Sequence, residues 1–502
     1  MQNKEADMAI IESERQYLES LKDKIESRLA ETGISLSESE KKHISALRSK
    51  FTQHVGQKVI IEKLASIAQG NDPIPVELYS KFDVKRGLRN ANGTGVLVGL
   101  TRIGDVVGYE IKDDKKIAVP GKLLYRGYDV ADLISDAENH NQFGYEQCAY
   151  LLLFGKLPTQ TELDEFTALL GEFRTLPDNF TEDMIMKAPS ADIMNKLARG
   201  VLASYSYDKN PEDRSLSNVL RQCIELISRF STLTAYGYQA KRRYYDGKSM
   251  YIHNPLPELS TAENFLRLIR NNKAYTDDEA KLLDLALILH AEHGGGNNSS
   301  LTVHVVSSAD TDTYSAIGAA VGSLKGRRHG GANIQVCGMM DDIKANVRDW
   351  SNEEEVKSYL RKIAGKDAYD RTGLIYGLGH AVYTVNDPRA TLLRDKAAKL
   401  AREKGLEEEY NLYKMVERFS PEILYERHGD GKKICANVDL YSGFIYSMLN
   451  IPRELFTPLF AVSRIAGWSA HRIEEIVAGG RIYRPAYKNV GEERQFVPIE
   501  KR

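Results

Sequence analysis

Histidine, aspartate and arginine set beside glycine are the residues of this chain whose types and spacing suit chemistry. Four of the 11 histidines touch a glycine: His293 in AEHGGGNN, His329 in RRHGGAN, His380 in GLGHAVY and His428 in RHGDG. Beside glycine the backbone can turn tightly or let a ligand approach closely. Taken singly, each also reads as a loop or packing residue. His329 stands just before a helical run, ANIQVCGMMDDI. An imidazole at a helix N-terminus meets the positive end of the dipole, which lowers its pKa. A neutral imidazole there can donate a hydrogen bond to a developing oxyanion. Asp439 heads the apolar run VDLYSGFIYSML. It reads as an N-cap or as a carboxylate tuned for proton abstraction.

Three arginines complete the set. Arg389 lies in NDPRA, Arg464 interrupts the apolar stretch LFTPLFAVSRIAGW, and Arg484 lies in RIYRPAY. A charge inside an apolar stretch is costly to bury unless paired, so Arg464 is expected to meet a carboxylate of the protein or of a ligand. Arginine forks grip carboxylates two-handed, so this set suits a small polycarboxylate.

Rival chemistries fail on missing parts. HGGG at 293–296 resembles an esterase oxyanion loop, but no GxSxG elbow accompanies it. His290 and His293 in HAEH lack the HExxH spacing, and no metal is expected. Gly377 and Gly379 lack the third glycine of a dinucleotide fingerprint, and Gly247-Lys248-Ser249 lacks the first glycine of a P-loop. His43, His54 and His471 sit among charged helical residues and are expected at the surface.

The elements that must position these groups are mostly helices. Ile11, Leu18, Leu21, Ile25 and Leu29 mark one amphipathic helix, and Ile44, Leu47, Phe51 and Val55 a second. Ser35 or Ser37 is the candidate N-cap between them. Pro73 and Pro75 close this arm. The Gly- and Val-rich stretch up to residue 125 predicts short strands in one small hairpin-like sheet. Beyond about 128 the pattern stays helical, as in GYEQCAYLLLFG and SNVLRQCIELISRF. The small-residue run AIGAAVGSLKG predicts a closely packed helix, with a dimer partner as one candidate neighbour.

Composition bounds the rest. The chain has 502 residues, 68 Lys+Arg and 70 Asp+Glu, for a net charge of −2. That balance gives no support to nucleic-acid or membrane-surface binding. Cys148, Cys223, Cys337 and Cys435 are far apart, which suits a reducing cytoplasm. No signal peptide, transit peptide or membrane span is expected.

Taken in order, HAEHGGGNNSS, RRHGGAN, GLGHAVYTVNDPRA, NVDLYSG, FAVSRIAGW and RIYRPAY resemble the citrate synthase family, 2-methylcitrate synthases included. LLYRGYDVADLI and LLLFGKLPTQTEL upstream resemble it too, so the likeness runs over roughly 95–490. It implies a mainly α, two-domain helical fold with a small β segment. The expected division is a helical arm over 1–72, a large domain over 73–334 and 441–502, and a small domain over 335–440. It further implies a homodimer or higher homo-oligomer that condenses acetyl-CoA with oxaloacetate in the tricarboxylic acid cycle. The CoA thioester is substrate, and no cofactor is implied. By motif, His329 matches the donor to the thioester oxygen, Asp439 the base, and His380 the group polarising the ketone. His293, Arg389 and Arg464 match the other oxaloacetate ligands, and Arg484 an arginine reaching the partner subunit's site. The backbone around Leu374, Ile375, Gly377 and Gly379 matches the CoA-binding segment. Two departures concern CoA: Arg327 and Arg328 replace the usual Pro-x before His329, and Thr384 replaces a common basic residue. Alternatives are a 2-methylcitrate synthase using propionyl-CoA, a citryl-CoA lyase-type activity, and a non-catalytic paralogue that senses CoA or citrate.

Overall fold

Apolar residues at helical spacing run through most of the chain, and helices follow. A computed structural model describes residues 27, 37–69, 74–90, 92–113, 115–428 and 434–502. The stretch Ile11–Leu29 and Ser35 lie outside the described residues, apart from the backbone at Ser27. The chain divides into two units, Met1–Arg86 with Tyr487–Arg502, and Gly87–Ala486.

The first unit contains helices α1 (Glu38–Gln69) and α2 (Glu77–Lys81). The expected second amphipathic stretch lies within α1. Ser37 caps it: its Oγ accepts from the Glu40 N–H at 3.3 Å, and the Glu40 carboxylate accepts from the Ser37 N–H at 2.8 Å. His43 is exposed, as expected. Lys488 of the C-terminal tail lies over the Phe82 ring at 5.5 Å.

The second unit opens with a three-stranded antiparallel sheet, β1 (Gly104–Lys112), β2 (Lys115–Tyr125) and β3 (Tyr128–Asp129). This is the small hairpin-like sheet that the sequence predicts. Helices follow: α3 (Val130–Asn139), α4 (Tyr145–Phe154), α5 (Gln160–Phe173), α6 (Ile193–Ser204), α7 (Leu216–Tyr244), α8 (Thr261–Ile269) and α9 (Asp277–His290). Next come α10 (Asn298–Ser307), α11 (Thr313–Lys325), α12 (Ala332–Asn346), α13 (Glu353–Gly365) and α14 (Pro388–Glu403). α15 (Glu407–His428), α16 (Val438–Met448) and α17 (Phe456–Ala478) complete the unit. Capping boxes start α5, α8 and α9 at Thr159/Glu162, Ser260/Glu263 and Thr276/Glu279.

α7 and α17 form the centre. Every residue of α17 from Phe456 to Arg472 is buried, and so is most of α7 from Asn218 to Ala240. A helix enclosed on all sides has no solvent face, so its polar residues must find partners inside. α11 packs on α6, α10 and α17 of its own chain. A Cβ at Gly318 would lie 3.1 Å from Leu202, so Gly318 serves close packing on α6 within the chain, whereas Gly322 is exposed.

The sheet serves as a platform. Register shifts between Val107 and Tyr109, where Gly108 stands. A Cβ at Gly108 would meet the Val382 carbonyl oxygen at 2.7 Å, and one at Gly121 the Asn386 carbonyl oxygen at 2.2 Å. The bare glycine surface lets the 382–388 segment lie directly on the strands. Asn386 Oδ1 accepts from the Gly121 N–H at 3.0 Å, and the Tyr383 hydroxyl donates to the Lys122 carbonyl at 3.2 Å. Gly121→Ala is expected to destabilise by about 1–3 kcal/mol through overpacking against backbone. The check is the urea midpoint; an unchanged midpoint would remove the platform from this account.

Candidate active site

The loop bearing His380 is shaped by glycine. Gly377 and Gly379 have φ of +83° and +88°, a region that side chains with a Cβ rarely adopt. The loop is stitched to the segment before α16. The Gly379 N–H donates to Cys435 O at 2.8 Å, the Asn437 N–H to Gly377 O at 2.8 Å, and Asn437 Nδ2 to Gly379 O at 2.9 Å. Asn437 also caps α16, accepting the Asp439 N–H at 3.0 Å. Asp439 is therefore not the N-cap. Its carboxyl is left free at the helix head, and burial raises its pKa to about 6, opposed by the Arg389 charge and helped by Asp387.

His380 Nδ1 accepts from the Val382 and Tyr383 N–H groups, both at 3.1 Å. That fixes the neutral tautomer with its proton on Nε2, facing away from the loop backbone. Burial and the Arg389 charge hold its pKa near 4. The ring stacks on Tyr383 at 4.8 Å and meets His293 edge-on at 5.2 Å. His293 is neutral for the same reasons, burial first and the Arg389 charge next.

Two buried guanidiniums flank these rings. Arg389 is gripped by Asp387, Nε to Oδ1 at 3.0 Å and Nη2 to Oδ2 at 2.7 Å. Arg464 donates through Nε to the His290 carbonyl at 2.6 Å and lies over Phe460 at 4.7 Å. Among the described residues its Nη1 and Nη2 are buried with no hydrogen-bond partner, as are His293 Nε2 and both His290 nitrogens. Burial lowers the Arg464 pKa to about 10, and Glu292 is the first opposing charge. An unfilled guanidinium fork beside neutral imidazole nitrogens is a receptor for carboxylate and carbonyl oxygens.

His329 lies two residues ahead of the Gly331 cap of α12, and its Nε2 is 3.0 Å from Ser299 Oγ. The Trp468 Nε1–H also points at Ser299 Oγ, at 3.0 Å. The Ser299 hydroxyl also reaches Asn297 Oδ1 as a donor at 3.0 Å; when it turns to His329 Nε2 instead, His329 carries its proton on Nδ1 and can donate it. Its pKa falls to about 4, with burial as the first cause and the Arg464 charge adding to it.

The structure thus gathers His293, His380, Arg389, Arg464 and Asp439 around the Arg389 and Arg464 charges, with His329 under the Arg464 charge. Arg484 is exposed and stands apart. Leu374 is 55% exposed, whereas Ile375 is buried in the core, so that segment offers backbone rather than the Ile375 side chain. Arg327 and Arg328 are exposed, and the Arg327 charge reaches Tyr376 of the same segment. His471, expected at the surface, is fully buried, because it lies on the central helix α17, where His304 of α10 and Glu292 meet its two ring nitrogens. Sequence reasoning passed over Ser299, Glu292, Asp387, Tyr383 and Trp468. All lie inside the quoted motifs. An acid two residues before an arginine and a glutamate between two histidines were the available signals.

The raised Asp439 pKa sets a sign. The folded chain holds this proton more tightly than the unfolded chain, whose carboxyl ionises near 3.8. Ionised Asp439 therefore costs stability above pH 6, and the cost vanishes below about pH 4. Asp439→Asn is expected to raise Tm at pH 8 and to leave it unchanged at pH 4. A fall in Tm at pH 8 would contradict this.

The chain resembles known proteins over most of its length. A family model described as citrate synthase, C-terminal domain, matches residues 90–486. The citrate synthase of Haloferax volcanii is 34% identical over 428 residues, spanning 84% of this chain and 99% of that protein. The 2-methylcitrate synthase of Shewanella oneidensis is 32% identical over 381 residues, spanning 76% and 92%. A ternary complex of carboxymethyl coenzyme A and oxaloacetate with the citrate synthase of Thermoplasma acidophilum matches with a TM-score of 0.67. That match has 28% identity and covers 83% of this chain and 99% of the other. With a family model across most of its length, a full-length relative at this identity and the same helical fold, the chain belongs to the citrate synthase family.

Proposed function

We propose that this enzyme condenses acetyl-CoA with oxaloacetate and hydrolyses the citryl-CoA formed, releasing citrate and CoA. The observation that carries the reading is the convergence of an unfilled arginine fork, neutral imidazoles and a carboxyl of raised pKa. Oxaloacetate is a dianion, and Arg464 Nη1 and Nη2 with Arg389 suit its carboxylates. The His380 Nε2–H suits its ketone oxygen and makes the carbonyl carbon electrophilic.

The thioester methyl is a very weak acid. A carboxylate ionising near pH 6 is mostly in its base form at pH 7.5. Asp439 takes the methyl proton while His329 donates to the thioester oxygen, where charge develops. Removing one such donor typically costs ~10²–10³ in rate. A neutral His329 can donate without first losing a charge, which is what its pKa near 4 supports. The enol carbon then attacks the ketone, and water cleaves the thioester. The thioester enters as substrate, and these steps draw on no further cofactor. Closure of a 335–440 small domain over the cleft would keep water from the enolate until the bond has formed. Leu374–Gly379 and the Arg327 guanidinium suit CoA.

Free CoA release from acetyl-CoA plus oxaloacetate tests the reading, and its absence with both acetyl- and propionyl-CoA would sink it. The match to a 2-methylcitrate synthase keeps propionyl-CoA as a second reading. We expect kcat/KM to favour acetyl-CoA, and a reversal would assign the second activity. The rate should rise with pH through about 6 and then level, following ionisation of Asp439. Arg464→Lys is expected to raise KM for oxaloacetate roughly 10- to 100-fold, the worth of one charged hydrogen bond of ~1.5–3 kcal/mol.

We further propose a cytoplasmic homodimer or higher homo-oligomer, with the exposed Arg484 serving the partner's cleft. Coexpressed Asp439→Asn and Arg484→Ala chains should recover activity that neither has alone. No recovery would place Arg484 outside any shared site.

A further inference from the structure

Behind Glu292 lies a cluster that the reaction does not use. His304 of α10 and His471 of α17 meet edge to face, with His304 Nε2 and His471 Nδ1 3.0 Å apart. The other nitrogen of each ring faces a carboxylate. His304 Nδ1 lies 2.8 Å from Glu475 Oε2, and His471 Nε2 lies 3.1 Å from Glu292 Oε2. An ionised carboxylate only accepts, so these outer nitrogens carry the protons. A neutral imidazole has one N–H, which leaves two lone pairs facing each other across 3.0 Å. Such an arrangement repels unless a cation lies between the rings, either a proton or a metal ion.

Glu474 decides between them. Its Oε2 is buried without a hydrogen-bond partner among the described residues and lies 4.0 Å from His471 Nδ1. One ligand atom each from His304, His471 and Glu474 lies within 4.8 Å of the others. A shared proton would use the two nitrogens and leave this oxygen orphaned, whereas a metal ion takes all three atoms. His471 and Glu474, three residues apart, share a face of α17. Carboxylates on the outer nitrogens are the arrangement that orients metal-bound imidazoles.

We propose that His304 Nε2, His471 Nδ1 and Glu474 Oε2 hold a divalent transition metal of the zinc class, with a solvent molecule completing a tetrahedron. Ligand nitrogens around such an ion sit about 3.3 Å apart, so the rings need part by only a few tenths of an ångström. Glu474 and Glu475 are 18% and 11% exposed and give a route from solvent. The metal would pin α10, which carries Ser299, to α17, which carries Arg464. Its role is to stabilise, and the proposal is independent of the reaction above. Sequence spacing gave no hint of it, because the two histidines are 167 residues apart.

The test uses the full chain without a histidine tag, stripped with a chelator and titrated with Zn²⁺ by calorimetry and with Co²⁺ by visible absorption. One equivalent per chain, the intense bands of four-coordinate cobalt and a Tm that rises with Zn²⁺ are expected. Glu474→Gln, of nearly the same shape, should weaken binding at least tenfold. Glu475→Gln should weaken it roughly 10- to 100-fold, as loss of an outer carboxylate does. No stoichiometric uptake by the wild-type chain would overturn the proposal, and so would uptake unchanged in Glu474→Gln. A proton would then be the occupant.

Discussion

Burial of four imidazoles beside two sealed guanidinium charges sets the state of the site. Burial is the first cause that lowers the pKa values of His290, His293, His380 and His329; Arg389 and Arg464 add to it for His290 and His293, Arg389 for His380, and Arg464 for His329. Burial disfavours the imidazolium, and a buried cation nearby makes a second one more expensive still, so these imidazoles stay neutral. The two arginines are not equivalent. Arg389 is matched two-handed by Asp387, while Arg464 has two nitrogens without partners. An enzyme that keeps an unmatched charge at its centre has traded stability for a place where an anion belongs. The near-neutral net charge of −2 fits this: an anionic substrate is handled by a few placed groups, not by a basic surface.

α17 is the spine on which these charges hang. Arg464, Trp468, His471 and Glu475 recur at spacings of 4, 3 and 4, which lines them along one face. Arg464 reaches the His290 carbonyl, Trp468 reaches Ser299 and through it His329, and His471 joins Glu292 to His304. Polar groups on a helix so enclosed are costly without partners, so those left without one among the described residues, including Arg464 Nη1 and Nη2 and Glu474 Oε2, stand out.

Glycine does the complementary work on the other wall. Gly108 and Gly121 strip the hairpin of side chains where the 382–388 segment lies on it. Gly377 and Gly379 bend the next segment so that its backbone pairs with 435–437. His380 and Arg389 come from one stretch and Asp439 from another, yet this one stitched layer sets their positions.

Much of this was legible beforehand. Helical periodicity and the Gly/Val-rich stretch anticipated the helices and the small sheet, because side-chain patterning is local. Three of the four glycine-flanked histidines, His293, His329 and His380, and the arginine inside an apolar run pointed to the site, the arginine because a buried charge is costly without a partner. Partners and protonation states were not legible. The sequence read Asp439 equally as an N-cap, until Asn437 took that role. It put His471 at the surface, because the neighbouring charges looked solvated. It could not pair Arg464 with the His290 carbonyl, 174 residues away in the chain. The sequence alone determined which residue types were available and which local shapes they favour. Only the tertiary structure decided which group is buried beside which charge, because burial and distance, not residue type, set the energy of a buried ion.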